Sequence, residues 1–341
     1  MTKVKFIALK NYIKGGYPQE KDFETKEVDL DETLGNNQIL VKLIYISVDP
    51  YVRGRMSEGK SYIDPFKIGE PIECGGVGKI EKSNCSKWKV GDYIANNQFP
   101  WKEKFVTDGN NPGCYKADKN AAPLPCYLSL LGMTGMTAYC GLTEIGEPKK
   151  GETLVVSAGS GAVGQIVGQV GKIIGCRVIG IAGSKEKCDF MTKELRFDVG
   201  INYKSPTYKD DIAKAVEKTG VDIYWENVGG EITDAVLPHL NKYARIPLCG
   251  VISSYNKTEL DVGPRIQIYL LKSSAKMQGF IVFNYIDKFP AASKQLAEWY
   301  NQGKIKDQHS IKKGLDQVVP SFLSLFNSDH LGKMIIKIAD E

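Results

Sequence analysis

The chain has 341 residues, 42% of them hydrophobic and 25% charged, with a net charge of +5. That length suits two domains better than one, and the composition is that of a globular chain, neither disordered nor fibrous. The lysines are scattered among acidic residues and form no basic block, which gives nucleic-acid binding no support.

Residues 1–10 alternate lysines with short apolar pairs and lack the apolar run and cleavage site of a secretory leader. No stretch reaches the roughly 18 uninterrupted apolar residues of a membrane span. A cytoplasmic protein without a membrane partner is therefore expected. To about Ala122 the chain carries short β-type runs such as Ile39–Ile46, broken by Gly and Pro, which predicts a small irregular β domain. From Leu124 the pattern changes. A helix is expected over Leu128–Leu142, then strand Thr153–Ala158, helix Gln165–Ile174, strand Arg177–Ala182 and helix Lys185–Leu195. Strands are expected at Asp222–Trp225, Ala244–Cys249 and Gln278–Phe283, followed by a helix over Ala292–Tyr300 that ends at Gly303. Alternating strands and helices predict an α/β fold with a doubly wound, Rossmann-type parallel sheet. The closing strand Lys333–Ile338 is expected to rejoin the first domain. The expected division is 1–123 with 310–341, and 124–309. The eight cysteines, at 74, 85, 114, 126, 140, 176, 188 and 249, lie far apart, unlike a disulfide framework, and are read as reduced thiols.

Gly159, Gly161 and Gly164 spell G-x-G-x-x-G between a predicted strand and a predicted helix. Glycine lets the backbone turn tightly and approach a pyrophosphate, while the helix N-terminus offers N–H donors. An NAD site places an acid about 20 residues further on, to hold the ribose 2′-hydroxyl. Here the second strand runs into Ala182-Gly183-Ser184-Lys185-Glu186-Lys187, with no acid at its end. Gly183 and Ser184 leave room for a phosphate, Lys185 or Lys187 supplies the opposite charge, and Glu186 is expected to face away. NADP(H) is thus favoured over NAD.

A catalytic zinc needs Cys and His ligands on separate segments, and a structural zinc needs closely spaced cysteines. The only histidines are His239, His309 and His330, and no two cysteines show C-x-x-C spacing. The G-x-S-x-G elbow of hydrolases is absent too. No metal is expected.

Several strings together resemble one known group. They are Ser47-Val-Asp-Pro-Tyr-Val-Arg53, Gly132-Met-Thr-Gly-Met-Thr-Ala-Tyr139, the glycine loop with Val167-Gly168-Gln169, and residues 182–187. Glu226-Asn-Val-Gly-Gly230, Cys249-Gly-Val-Ile-Ser-Ser-Tyr-Asn256 and Gly279-Phe-Ile-Val282 complete the set. The chain resembles, over nearly its whole length, the zinc-independent medium-chain dehydrogenases/reductases that include leukotriene hydroxydehydrogenase/prostaglandin reductase and the NADP-dependent alkenal/one oxidoreductases. The resemblance implies a GroES-like β domain around an inserted Rossmann domain, an active cleft between them, and a homodimer.

Carried over by position, it implies that Gly161, Ala162, Val163 and Gly164 hold the pyrophosphate, and that Lys187 and Tyr203 meet the 2′-phosphate region beside Gly183 and Ser184. Asn227 would line the nicotinamide half with Cys249, Gly250, Val251, Ile252, Ser253, Ser254 and Tyr255. Phe280, Ile281 and Val282 would continue that lining. His330 stands where the family has an asparagine, and imidazole can still donate a hydrogen bond.

The implied reaction is reduction of the C=C bond of a small-molecule α,β-unsaturated aldehyde or ketone, with hydride delivered to the β-carbon. Such chemistry needs orientation and a hydrogen-bond donor at the carbonyl oxygen rather than a metal. The candidate donors are Tyr51 and Tyr255, with Tyr62 beside Tyr51 at the substrate; Tyr255 alternatively positions the nicotinamide ribose. Arg53 and Arg55 read as surface or interface salt-bridge residues. Two alternatives stay open: quinone reduction on a related fold, and a catalytically silent NADPH-binding protein.

Overall fold

The computed structural model describes residues 2–59, 61–327 and 330–341. The strands are β1 (Thr2–Leu9), β2 (Phe23–Leu30), β3 (Gln38–Ser47), β4 (Glu73–Ser83), β5 (Tyr93–Pro100), β6 (Lys104–Asp108), β7 (Tyr115–Lys116) and β8 (Thr153–Ser157). They continue as β9 (Arg177–Ala182), β10 (Val199–Asn202), β11 (Val221–Trp225), β12 (Leu240–Leu248), β13 (Lys276–Gly279), β14 (His309–Lys313) and β15 (Lys333–Lys337). The α-helices are α1 (Met133–Gly141), α2 (Gly164–Ile174), α3 (Lys185–Lys193), α4 (Tyr208–Val216), α5 (Gly230–Val236), α6 (Ile266–Ser273), α7 (Phe289–Asn301) and α8 (Val318–Ser324). Two compact units result, one of residues 1–128, 309–330 and 334–341, the other of 129–308 and 331–333.

The first unit is built on a seven-stranded sheet in the order β14-β15-β3-β4-β5-β7, with β6 also paired to β3. Strand β3 is apolar on both faces, and Leu40, Val41, Leu43, Ile44 and Ile46 are all buried. A strand of that kind belongs in the middle of a covered sheet. It pairs antiparallel with β4, Val41 opposite Ile80, and with β15, Ile335 opposite Ser47. Between β3 and β4 the turn Pro50–Met56 is a short 3-10 helix, with Pro50 supplying the fixed φ at its start.

The second unit holds a six-stranded parallel sheet in the order β10-β9-β8-β11-β12-β13. All five side chains of β8 are buried, as expected for the central strand of a sheet covered on both faces. The order runs outward from β8 in both directions, so the connections reverse beside β8, where doubly wound sheets form their ligand crevice.

Several elements differ from the sequence reading: β12 begins at Leu240 rather than Ala244, α7 at Phe289 rather than Ala292, and three more depart as follows. The helix expected over Leu128–Leu142 starts only at Met133, because Gly132 is extended at φ −108°, ψ −161°. The Thr134 hydroxyl and Gly135 N–H turn back to the Ser129 carbonyl instead. The helix expected to reach Leu195 stops at Lys193, and Arg196 then adopts a left-handed φ of 63°. The last parallel strand ends at Gly279 rather than Phe283. Phe280 leaves the sheet to set its ring edge-on to Trp225, at 5.9 Å between centroids. The strand β10 and helices α4, α5 and α6 lie outside the sequence reading.

Candidate cofactor and active site

The carboxyl ends of β8 to β13 each present a sequence-predicted residue. Gly161, Ala162, Val163 and Gly164 follow β8, and Gly183, Ser184 and Lys187 follow β9. Tyr203 follows β10, Asn227 follows β11, residues 249–255 follow β12, and Phe280, Ile281 and Val282 follow β13. One edge of one sheet thus gathers segments that span more than a hundred residues of sequence.

The loop after β8 begins with strain. Ala158 sits at φ +49°, a left-handed conformation costing about 1 kcal/mol or more for a residue with a Cβ. At Gly164 a Cβ would lie 2.2 Å from the Ala158 carbonyl oxygen, so no other residue fits the loop in this form. A Cβ at Gly161 would meet only that same oxygen, at 3.2 Å, which leaves the space over the loop uncrowded. No side chain caps α2. A bare helix N-terminus behind a glycine turn suits a pyrophosphate, so the residues present fit a dinucleotide.

The loop is held from behind in a way the sequence reading missed. Gly332 N–H donates to the Ser160 carbonyl at 2.9 Å, and Gly161 bridges to Gly332. On α2 the buried Gln165 amide pairs both ways with the Gln308 backbone, at 3.0 and 3.1 Å. Gln169 does the same with Lys306, at 2.8 and 2.9 Å. Only the Gly168-Gln169 and Leu331-Gly332-Lys333 strings hinted at these contacts. His330 directly precedes the docked segment.

After β9, Ser184 caps α3 by accepting from Lys187 N–H at 3.2 Å. The two lysines then separate. Lys185 is exposed and pairs with Asp189 at 2.7 Å, whereas Lys187 is 9% exposed. Glu186 faces solvent. The Tyr203 ring closes on Gly183, where a Cβ would stand 3.0 Å from its edge and hydroxyl. Gly183, Ser184, Lys187 and Tyr203 are thereby brought together around a strand end without an acid.

After β11 the buried Glu226, 1% exposed, organises the next loops. Its carboxylate accepts from Val228 N–H at 2.8 Å, Gly229 N–H at 2.9 Å, the Ser157 hydroxyl at 3.1 Å and the Thr233 hydroxyl. Its backbone carbonyl accepts from Cys249 and Gly250 N–H, at 2.9 and 3.1 Å. Asn227 donates to the Ser157 carbonyl at 2.7 Å and accepts from the Trp225 indole at 3.0 Å. Ile252 and Ser253 N–H donate to the Asn227 and Val228 carbonyls. The 249–255 loop is thus stitched to the end of β11, with Val251 and Ser254 on its outer turn and the Tyr255 hydroxyl folded back to accept from Val251 N–H at 3.4 Å. Burial pushes the Cys249 thiol up to about 12, so it stays protonated at neutral pH. Beyond β13 the Phe280 ring fills the niche beside Gly141, Ile281 is half-buried and Val282 is buried.

In the first unit Tyr51 turns its hydroxyl to the buried Cys74 thiol, at 3.6 Å. Tyr62 is 62% exposed on the loop that follows. Arg53 and Arg55 are buried rather than at the surface. Arg53 donates to the Ser57 hydroxyl and the Gly16 carbonyl, and burial lowers its pKa. Arg55 pairs with Glu73 at 3.3 Å and stacks 4.0 Å from the Phe66 ring. Hydrogen-bond acceptors on Gly16, Ser57, Asp64 and Glu73 hold both guanidinium groups inward.

Two family models match the chain: an N-terminal domain of oxidoreductase over residues 5–113, and a zinc-binding dehydrogenase over residues 162–298. The second description mentions zinc, whereas every histidine of this chain lies at position 239 or beyond. An NADPH-dependent curcumin reductase of Escherichia coli is 40% identical, covering 96% of this chain and 94% of its own. A 2-alkenal reductase (NADP+-dependent) of Nicotiana tabacum is 39% identical, covering 99% and 98%. The chain belongs to the medium-chain dehydrogenase/reductase family, with relatives named as NADP-dependent reductases. A member of that family, CurA from Vibrio vulnificus, has been solved in complex with NADPH. It superposes with a TM-score of 0.93 at 39% identity, covering 99% of this chain and 100% of its own. The fold is the family's, a Rossmann-type sheet inserted in a GroES-like β domain, and the protein is an NADP(H)-dependent oxidoreductase. No helix among the described residues is long and apolar enough to cross a membrane.

Proposed function

We propose that this oxidoreductase reduces the C=C bond of α,β-unsaturated aldehydes and ketones. The observation that carries the reading is the strand-end assembly around a buried Lys187. It joins two relatives of about 40% identity whose names specify reduction of an alkenal and of curcumin, both conjugated carbonyl compounds. When bound, NADPH supplies the hydride, which goes to the β-carbon.

The chain's own residues divide the remaining work. Gly161, Ala162, Val163 and Gly164 bind the pyrophosphate; Gly183, Ser184, Lys187 and Tyr203 bind the 2′-phosphate region. Asn227, residues 249–255, Phe280, Ile281, Val282 and His330 line the nicotinamide half. Tyr51 and Tyr255 present hydroxyls to the carbonyl oxygen as negative charge gathers there, and Tyr51 and Tyr62 contact the substrate. Residues 1–123 with 310–341 act as the catalytic domain and 124–309 as the NADP-binding domain. The protein works in the cytoplasm as a homodimer, and light scattering checks the latter.

The test is NADPH oxidation over a panel of enals, enones, saturated aldehydes and quinones, with product analysis to separate C=C from C=O reduction. Saturated ketone from an enone is the expected product. Turnover of quinones alone, or tight NADPH binding without any turnover, would replace the reading. Tyr51→Phe should slow enone reduction about tenfold or more while NADPH affinity stays within about twofold, and Tyr255→Phe should slow it by a similar factor.

A further inference from the structure

Trp225, the last residue of β11, is fully buried and touches two of the side chains proposed to line the nicotinamide half of the cofactor. Its indole N–H donates to Asn227 Oδ1 at 3.0 Å. Its ring meets Phe280 edge-on, at 5.9 Å between centroids and 74° between planes. Both rings lie against α1 at Gly141, where a Cβ would stand 2.6 Å from Trp225 Cη2 and 2.4 Å from Phe280 Cζ. One side chain thus links the segments that follow β11 and β13 to a helix that precedes the whole sheet.

Donor counting fixes the Asn227 amide. Its two ends are alike in shape, but an indole nitrogen only donates and a backbone carbonyl only accepts. Oδ1 therefore faces Trp225, and Nδ2 faces the Ser157 carbonyl, to which it donates at 2.7 Å. The Asn227 backbone is held as well, its N–H donating to the Ser157 hydroxyl at 2.8 Å. An amide nitrogen carries two hydrogens, and the Ser157 carbonyl takes one. The second has no partner among the described residues, and in a planar amide its direction follows from the two bonds already made. Asn227 is half-buried, so a ligand can reach that hydrogen. An open amide donor and an aromatic ring, both fixed by one buried side chain, suit a flat ligand that carries an oxygen acceptor.

We propose that Trp225 is a positioning residue for the nicotinamide half of the cofactor: its indole N–H aims the remaining Asn227 N–H at an acceptor oxygen there, and its ring fixes Phe280. This rests on the reading of Asn227 and Phe280 as nicotinamide-side residues. With no exposed surface of its own, Trp225 acts only through these neighbours. Around Gly183, Ser184 and Tyr203 the strand ends are held by other contacts, so loss of the indole should fall on the nicotinamide half alone.

The experiment uses the full chain and two probes: NADPH, and adenosine 2′,5′-bisphosphate, which keeps the phosphorylated adenosine and lacks the nicotinamide. Calorimetric affinities are compared for wild type, Trp225→Phe, Asn227→Ala and the double variant. Trp225→Phe keeps a ring against Phe280 and removes one hydrogen bond, so it should weaken NADPH about fivefold and the bisphosphate by less than about twofold. Once Asn227 is alanine, Trp225→Phe should weaken NADPH by less than about twofold further, because the two substitutions remove the same contact. In protein carrying ¹⁵N-labelled tryptophan, the Trp225 indole signal, assigned by its loss in Trp225→Phe, should move in Asn227→Ala. It should also move on adding NADPH and stay in place with the bisphosphate.

Equal losses of NADPH and bisphosphate in Trp225→Phe overturn the proposal, as does full additivity of the two substitutions or an indole signal that ignores Asn227→Ala. Gly141→Ala, which presses on both rings and leaves the indole in place, should show the same selective loss of NADPH, and it decides if Trp225→Phe fails to fold. Wild-type NADPH affinity in Asn227→Ala would remove Asn227 from the cofactor site and take the proposal with it. A normal loss in Asn227→Ala with additivity in the double variant sinks the role of Trp225 alone.

Discussion

Two regions of this protein bury a carboxylate, and they do so differently. At the carboxyl edge of the parallel sheet, Glu226 is satisfied by two backbone N–H groups and two hydroxyls. In the turn after β3, Asp49 accepts from a hydroxyl and a thiol beside Tyr51. The first arrangement fastens loops, because backbone donors cannot move without the chain. The second meets side-chain donors, a hydroxyl and a thiol, among its partners.

That contrast is tested most severely at the glycine loop, where backbone does everything. Gly164→Ala forces a Cβ against the Ala158 carbonyl and should lower NADPH affinity at least about a hundredfold, with about 3 kcal/mol lost in urea unfolding. Unchanged fluorescence titration with NADPH would show that the loop is more yielding than its geometry implies. Next in size, Glu226→Ala leaves the Val228 and Gly229 N–H groups without their acceptor and should cost about 3 kcal/mol. Glu226→Gln, which keeps an acceptor oxygen, should cost clearly less. Equal losses would mean that charge, not backbone pairing, holds the loop.

Smaller effects separate the two lysines after β9. Lys187→Glu should weaken NADPH about tenfold or more beyond any loss for NADH, whereas Lys185→Ala, in an exposed pair with Asp189, should change NADPH affinity by less than about twofold. Equal losses of NADPH and NADH in Lys187→Glu would detach it from the 2′-phosphate. The smallest effect is expected at Cys249. Its thiol, pushed up to about 12, remains protonated at pH ~8 and should resist iodoacetamide in the folded protein, as mass spectrometry can check.

Much of the parallel unit was legible because its signals are local. Strand, glycine turn and helix follow one another within a few residues from Thr153 to Ile174, and the missing acid after β9 needs no partner to be noticed. Phe280 defeated the strand reading because its ring found a niche beside Gly141, more than a hundred residues away. The Gln165 and Gln169 clasps on residues 306–308 were hidden for the same reason: an amide on a helix announces no partner in sequence.

By itself, then, the sequence determined the dinucleotide loop, the preference for a phosphorylated cofactor and the family, since each rests on short contiguous strings whose backbone needs are local. Only the tertiary structure decided which of the two lysines is buried, how Glu226 binds the loops of two strands, and that the Tyr51 hydroxyl faces a thiol backed by a carboxylate. Those outcomes depend on which side chains desolvate together, and that is set by the packing of segments far apart in the chain.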